Sequence, residues 1–337
     1  MLPLPVFDYH RPQTLSEALD LLGKLGEKAR IIAGGTDVLP NMKQGLFDPE
    51  HVISIGRLSE LRGISIESQT EDEPQRLVIG AGMRLSEIEA HPDVERTAPA
   101  LAQAASLVGG PHHRAMGTLG GNICLDTRCR YYNQTYFWRK SLGFCLKKDG
   151  TLCHVVQGGR KCVAAASNDT APALIALGAT IHTLGPKGER RIFAGDFYTA
   201  DGIQNTVLEP GELVVRASVP IQKGRKSSFE KLRKRGAIDF PLLSIAARID
   251  EDPQNSSNII YADLVVSALG ARPRRIRAAS QRDILEAGRE KLPGLLADAA
   301  YAECKPLTNI DEDTEWRREM VRVLSRKALK RILHNPS

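Results

Sequence analysis

Two glycine-rich runs and one cysteine-rich segment are the parts of this chain whose residue types could do chemistry. The runs are Ala33-Gly34-Gly35-Thr36-Asp37 and Thr118-Leu119-Gly120-Gly121-Asn122. Glycine adopts backbone dihedrals that other residues avoid and lets a ligand come close, so successive N–H groups can converge on an anion. Such turns suit a phosphate-bearing ligand. Thr36 would add a hydroxyl donor, and the Asn122 amide could reach a second phosphate or a ring edge. An ordinary tight turn is the competing explanation for either run alone. A third pair, Gly80-Ala81-Gly82, opens like a dinucleotide fingerprint. Its third glycine is replaced by Leu85 and no βαβ unit precedes it, so a Rossmann site is not expected. Neither a P-loop nor a G-x-S-x-G elbow occurs.

Five of the six cysteines, Cys124, Cys129, Cys145, Cys153 and Cys162, fall in one short segment, and Cys304 stands alone on an apolar helical pattern as a core thiol. Such a cluster in a cytosolic protein points to metal or redox chemistry before disulfides. Four thiolates can hold zinc or an iron–sulfur cluster, but the close C-x2-4-C pairs usual for zinc and the C-x2-C runs of ferredoxins are both missing. Spacing therefore leaves a cluster, zinc or incidental cysteines open. The surroundings lean toward a cluster. Neighbouring Arg and Lys would offset its negative charge, and Tyr131, Tyr132, Tyr136, Phe137, Trp138 and Phe144 would shield it from water. Cys124 directly follows the second glycine turn and is the expected non-ligand. His154, beside Cys153, is discounted as a ligand because four cysteines suffice.

The net charge of +6 is concentrated here too. Arg128, Arg130, Arg139, Lys140, Lys147, Lys148, Arg160 and Lys161 face only Asp126 and Asp149. A local basic patch suits an acidic partner or an anionic cofactor better than nucleic acid. His112, His113 and Arg114 read as a solvated loop, with Arg114 the one candidate to face a phosphate or carboxylate.

These residues need elements to position them. Thr14-Leu15-Ser16-Glu17 has capping-box spacing ahead of a helix carrying Leu15, Ala18, Leu19, Leu22 and Leu25. Strand-like Ala29–Ile32 runs into the first glycine turn, and Val38–Gln44 reads as a helical turn. His51–Ile55 and Leu77–Ile79 are strand candidates; Ser86–Ala90 and Ala98–Leu107 are helix candidates. Gly109–Asn122 is loop-rich, and Ile123–Ser167 shows no amphipathic period. Ala171–Gly178 reads as a helix, and Thr180–Thr183 and Glu212–Pro220 as strands. After a polar boundary at Gln222–Ser228 come strands at Ser228–Arg233, Leu242–Ile249 and Ile259–Ala268. Helices follow at Ala278–Ala287, Leu295–Ala302 and Thr314–Leu333. This order fits an α+β architecture. The 337 residues suggest two or three domains. No signal peptide or membrane-spanning run is expected, so the cytoplasm is the default compartment.

In combination these residues resemble the FAD-binding subunit of the molybdenum hydroxylases, the xanthine dehydrogenase and carbon monoxide dehydrogenase group. Further marks are Phe7-Asp8-Tyr9, Met42-Lys43, Ile79-Gly80-Ala81, Asp169-Thr170-Ala171-Pro172-Ala173-Leu174 and Phe229-Glu230-Lys231. The resemblance implies a two-part FAD-binding domain of the vanillyl-alcohol-oxidase-like type, divided at 1–58 and 59–221. A C-terminal α+β domain over 222–337, a three-stranded antiparallel sheet packed with helices, would follow. It implies that FAD is bound by Ile31, Ile32, Ala33, Gly34, Gly35, Thr36, Asp37 and Val38 and by Thr118, Leu119, Gly120, Gly121 and Asn122. Asp169 would reach the adenosine part, while Val108, Val214 and Lys231 would line the flavin region.

Most members pass directly from the second glycine turn to the segment matching Asp169. The extra stretch at about 123–166 resembles that of one branch, the beta subunit of 4-hydroxybenzoyl-CoA reductase, where an inserted loop binds a [4Fe–4S] cluster. That resemblance places the ligands at Cys129, Cys145, Cys153 and Cys162. It implies electrons passing from ferredoxin through the cluster and FAD to a [2Fe–2S] small subunit and a molybdenum-cofactor large subunit, in a dimer of heterotrimers. No membrane or nucleic-acid partner is implied. Arg139, Lys140, Lys147 and Lys148 would form the ferredoxin-facing surface. Another molybdenum-hydroxylase flavin subunit, or a zinc-binding interaction module, are the competing readings.

Overall fold

The computed structural model describes residues 2–68 and 74–334. Three sheets follow one another along the chain. The first is parallel, in the order β1-β3-β2, from Asp8–His10 (β1), Ala29–Ile32 (β2) and His51–Ser54 (β3). Its connection is helix α1 (Leu15–Leu25), whose leucines pack with Leu58, Leu61 and Leu213. Thr14 Oγ1 accepts from Glu17 N at 3.2 Å, as the capping-box spacing predicts. The Glu17 carboxylate instead reaches back to Gln13 N at 2.6 Å. Helix α2 (Val38–Lys43) follows the first glycine turn.

The second sheet is antiparallel, in the order β4-β5-β8-β6-β7. Its strands are Ile64–Glu67 (β4), Arg76–Gly80 (β5), Thr180–Gly185 (β6), Gly188–Phe193 (β7) and Leu213–Pro220 (β8). Between β5 and β6 the chain forms α3 (Leu85–Glu89), α4 (Pro92–Thr97), α5 (Pro99–Ser106), α6 (Pro111–Met116), α7 (Leu119–Ile123), α8 (Tyr136–Ser141) and α9 (Thr170–Leu177). Helix α9 is buried along its whole length, and its residues join Leu77, Ile79, Ile181 and Ala217 in the main core.

The third sheet has the order β12-β11-β10-β9 and is antiparallel throughout. Its strands are Arg225–Leu232 (β9), Leu243–Glu251 (β10), Ile259–Ser267 (β11) and Arg274–Arg275 (β12). The three-stranded expectation is thus one strand short, because β12 is two arginines with no hydrophobic alternation to announce it. Both faces of this sheet are covered. Leu243, Ile245, Ala247 and Ile249 pack with α10 (Gln281–Glu303) and α11 (Thr314–His334), while Phe229, Ala246 and Val265 join the main core. A strand buried on both faces loses the polar alternation of a half-buried one. The two helices expected at Ala278–Ala287 and Leu295–Ala302 form one element interrupted at Gly288, where φ is 59°. Among the described residues, no helix is long and apolar enough to cross a membrane.

Candidate functional site

The two glycine turns meet. A Cβ on Gly34 would stand 1.9 Å from Met116 O, so only glycine allows the first turn to lie against the end of α6. Gly35 has φ of +72°, a left-handed conformation that glycine adopts without strain. Among the described residues, the backbone N–H groups of Gly34, Gly35, Thr36 and Asp37 donate to no protein acceptor. They are available to a ligand.

The second turn differs from the sequence expectation. Most of its N–H groups are already used: Leu119 N donates to Met83 O at 2.9 Å, Gly120 N to Ala81 O at 2.8 Å and Gly121 N to Thr118 Oγ1 at 3.2 Å. A Cβ on Gly120 would meet Ala81 Cβ at 2.9 Å, so this glycine serves close packing. Asn122 is also committed in part. Its Oδ1 accepts from Thr170 N at 3.0 Å and Thr170 Oγ1 at 2.6 Å, which fixes the start of α9 beside Asp169. The Gly80-Ala81-Gly82 run lies at the end of an antiparallel strand, and Gly80 and Gly82 make room for Leu61 O.

Between the turns lies a cavity of about 580 Å3. Its walls include Ile31, Ala33, Gly34, Gly35, Thr36, Asp37, Val38, Val108, Thr118, Gly120, Gly121, Asn122, Asp169 and Val214. Three expected residues do not line it. Ile32 packs against Met42 and Val52, and Leu119 lies in the main core. Lys231 stands behind Asp169: its Nζ donates to Asp169 Oδ2 at 2.7 Å and to Leu107 O at 2.9 Å. In this structure Lys231 holds Asp169 in place. Burial pushes the Asp169 carboxyl up, against the pull of Lys231.

Arg128, from the basic patch, and residues given no role by the sequence complete the cavity. Arg128 lies 3.7 Å from Asp37 and 3.7 Å over the Phe240 ring, joining the first turn to the loop after β9. Ile238, in the same loop, holds a φ of 74° and donates its N–H to Gly109 O at 2.8 Å. That conformation strains a β-branched residue. No sequence pattern announces these contacts, because each joins segments far apart in the chain. Arg114 pairs with Glu89 at 2.9 Å and is part of a helix, not a solvated loop.

Cys129, Cys145, Cys153 and Cys162 line one small cavity of about 20 Å3, together with Tyr131, Tyr132, Lys147 and His154. Cys124 is elsewhere. It lines the larger cavity and is exposed. Cys304 is buried in the C-terminal core. The loop around Cys145 is tightly wound, with Phe144 at φ 61° and Asp149 at φ 64°. Cys145 N and O bond Lys148 O and N at 3.3 and 2.9 Å. His154 Nε2 meets Phe144 O at 2.6 Å, so that nitrogen holds the loop. Burial pushes the Cys129 thiol up to about 11. Among the described residues, no group of three or more His, Cys, Asp or Glu side chains is placed to hold a single metal ion.

Two members of the basic patch, Arg139 and Lys147, are internal. Arg139 is 1% exposed, pairs with Asp149 at 3.2 Å and donates to Gly45 O at 2.9 Å. Lys147 pairs with Asp126 at 2.7 Å, Arg130 with Asp311 at 3.2 Å and Lys148 with Asp149 at 3.5 Å. Arg139 and Lys147 therefore cannot form the expected ferredoxin-facing surface. Arg130, Lys140, Arg160 and Lys161 are exposed.

The family described as the FAD binding domain in molybdopterin dehydrogenase matches residues 5–222. The chain is 30% identical to the carbon monoxide dehydrogenase medium chain of Hydrogenophaga pseudoflava, over 98% of this chain and 97% of that one. It is 31% identical to the aldehyde oxidoreductase FAD-binding subunit PaoB of Escherichia coli, over 82% of this chain and 85% of that one. Its fold is similar to a chain in the structure of Hydrogenophaga pseudoflava carbon monoxide dehydrogenase lacking the Mo-pyranopterin moiety of the molybdenum cofactor. There the TM-score is 0.77 at 28% identity, covering 98% of each chain.

Proposed function

Because the chain belongs to the FAD-binding subunits of the molybdenum hydroxylase family, we propose that it carries electrons through two centres, FAD and a [4Fe–4S] cluster. FAD supplies a group that accepts electrons singly or in pairs. The free N–H groups of Gly34 to Asp37 would take its pyrophosphate, with the second turn and Asp169 shaping the wall around it. Val108 and Val214 would border the flavin region. On this reading the three sheets belong to subdomains 1–58 and 59–221 and a C-terminal domain 222–337. The FAD-binding part is of the vanillyl-alcohol-oxidase-like type, with an insert at about 123–166.

One observation carries the second centre: Cys129, Cys145, Cys153 and Cys162 surround a common cavity, while Cys124 lies outside it. A cluster offers one iron to each of four thiolates, so its ligands stand around a body. Zinc would draw the same thiolates onto a point, so metal and sulfide analysis of the purified protein separates the zinc-module reading from the cluster.

The complete assignment is the beta-type subunit of a 4-hydroxybenzoyl-CoA reductase in the cytoplasm. Cys129, Cys145, Cys153 and Cys162 would hold the cluster and Gly34 to Asp37 the FAD, and the two groups would supply an electron path from ferredoxin towards a [2Fe–2S] small subunit and a molybdenum large subunit, in a dimer of heterotrimers. Two electrons and two protons would replace the phenolic hydroxyl by hydrogen and release it as water. The protein supplies position and potential, and the cofactors the redox chemistry. A second reading, an oxidative hydroxylase without a cluster here, is favoured by the likeness to carbon monoxide dehydrogenase and aldehyde oxidoreductase chains. The native complex, assayed with 4-hydroxybenzoyl-CoA and a reduced low-potential donor, separates them. Benzoyl-CoA formation, lost in Cys153→Ser, is expected. Failure to remove the ring hydroxyl of 4-hydroxybenzoyl-CoA, with oxidation of an aldehyde or CO instead, contradicts the first reading.

A further inference from the structure

Lys147 is a lysine with almost no water around it. Its side chain is 5% exposed, and its Nζ has four acceptors: Asp126 Oδ1 at 2.7 Å, Thr127 O at 3.1 Å, Thr127 Oγ1 at 2.5 Å and Gly202 O at 2.7 Å. It also lies 4.5 Å over the Tyr132 ring, and Tyr132 donates its hydroxyl to Asp126 Oδ2 at 3.1 Å. Desolvating an ammonium is unfavourable unless its donors are satisfied, and here they have acceptors on every side.

These contacts join three loops. Lys147 is two residues beyond Cys145. Gly202 backs Cys162: its N–H donates to Cys162 O at 2.8 Å, and a Cβ there would stand 2.8 Å from Cys162 Sγ. Asp126 belongs to the wall of the larger cavity, while Lys147 and Tyr132 line the thiol cavity. The Asp126–Lys147 pair therefore stands between the two cavities. Lys147 is also the one Lys or Arg among the described residues lining the thiol cavity.

We propose that Lys147 is the positioning residue of the thiol cavity. It ties the loops of Cys145 and Cys162 to the wall of the larger cavity and sets the fixed positive charge beside the four thiolates. The proposal rests on the cluster reading above. A centre held by four thiolates gains one further negative charge on one-electron reduction by a reduced donor. A nearby cation stabilises the reduced form more than the oxidised one, and a nearby carboxylate does the opposite.

The test is a reductive titration of the native complex, followed by electron paramagnetic resonance of this chain's centre, in wild type, Lys147→Gln, Lys147→Arg and Asp126→Asn. The potential should shift to more negative values in Lys147→Gln, to more positive values in Asp126→Asn, and stay near wild type in Lys147→Arg. If Lys147→Gln does not fold, the other two variants still carry the comparison. A wild-type signal whose potential neither neutral variant moves, or moves with the same sign, overturns the assignment to Lys147 alone. A wild-type complex with no iron–sulfur signal from this chain overturns the cluster reading and the proposal together.

Discussion

Gly34 and Gly23 are the same residue type with opposite consequences. At Gly34 a Cβ would collide with Met116 O, whereas at Gly23, inside α1, nothing lies within 4 Å of it. Gly34→Ala should therefore push the glycine turns apart, and flavin analysis of the purified protein should show most of the FAD lost. Gly23→Ala should keep its flavin and gain roughly 0.5–1 kcal/mol from helix propensity. Equal flavin content in the two variants would contradict the geometry. Asp263 gives a pH-dependent case. Burial pushes its carboxyl up to about 6, and Arg275 Nε lies 2.9 Å away without the alignment of a hydrogen bond. A raised carboxyl contributes stability below the ordinary carboxylate range, and that contribution is lost as pH rises through about 6. Relative to wild type, Asp263→Asn should gain about 3 kcal/mol between about pH 4 and pH 8. Parallel melting curves of the two proteins across that range would contradict this. Glycine positions were legible at this scale, because the residue type itself states the constraint. The burial of Arg139 and Lys147 was not, since a sequence displays a charge but not its partner.

Helix α9 and strand β9 meet through Asp169 and Lys231, which are 3% and 1% exposed. Removing one partner leaves the other charge buried and unpaired. Lys231→Met should cost about 3–5 kcal/mol in denaturant unfolding, and Asp169→Asn with Lys231→Met should recover part of it. A double variant no more stable than Lys231→Met would show that the loss comes from packing. Elements with a strong pattern were legible: β10, β11 and α11 lie within two residues of their expected bounds. Strand β7 was missed because its Gly-Glu-Arg-Arg segment is polar and it pairs with β6 alone at the sheet edge. Helices α6 and α7 were missed because their glycines and prolines read as loop. Both are short, and α7 owes its start to Thr118 capping Gly121 N.

At the scale of the whole molecule, sequence motifs far apart in the chain converge on one cavity, and the cysteine segment builds a second one beside it. The FAD-binding family was readable from the order of motifs over nearly the full length, and the match over residues 5–222 agrees. The wall between the cavities was not readable, because Asp126, Lys147, Tyr132 and Gly202 meet only in three dimensions. The central claim is that this chain holds both FAD and a [4Fe–4S] cluster. It is tested most directly by measuring flavin, iron and acid-labile sulfide in the anaerobically isolated native complex, beside the same complex carrying Cys153→Ser. The account predicts one FAD per chain in both, and in wild type an excess of iron and sulfide equal to one [4Fe–4S] cluster per chain, missing from the variant. Identical iron and sulfide in the two complexes would contradict it.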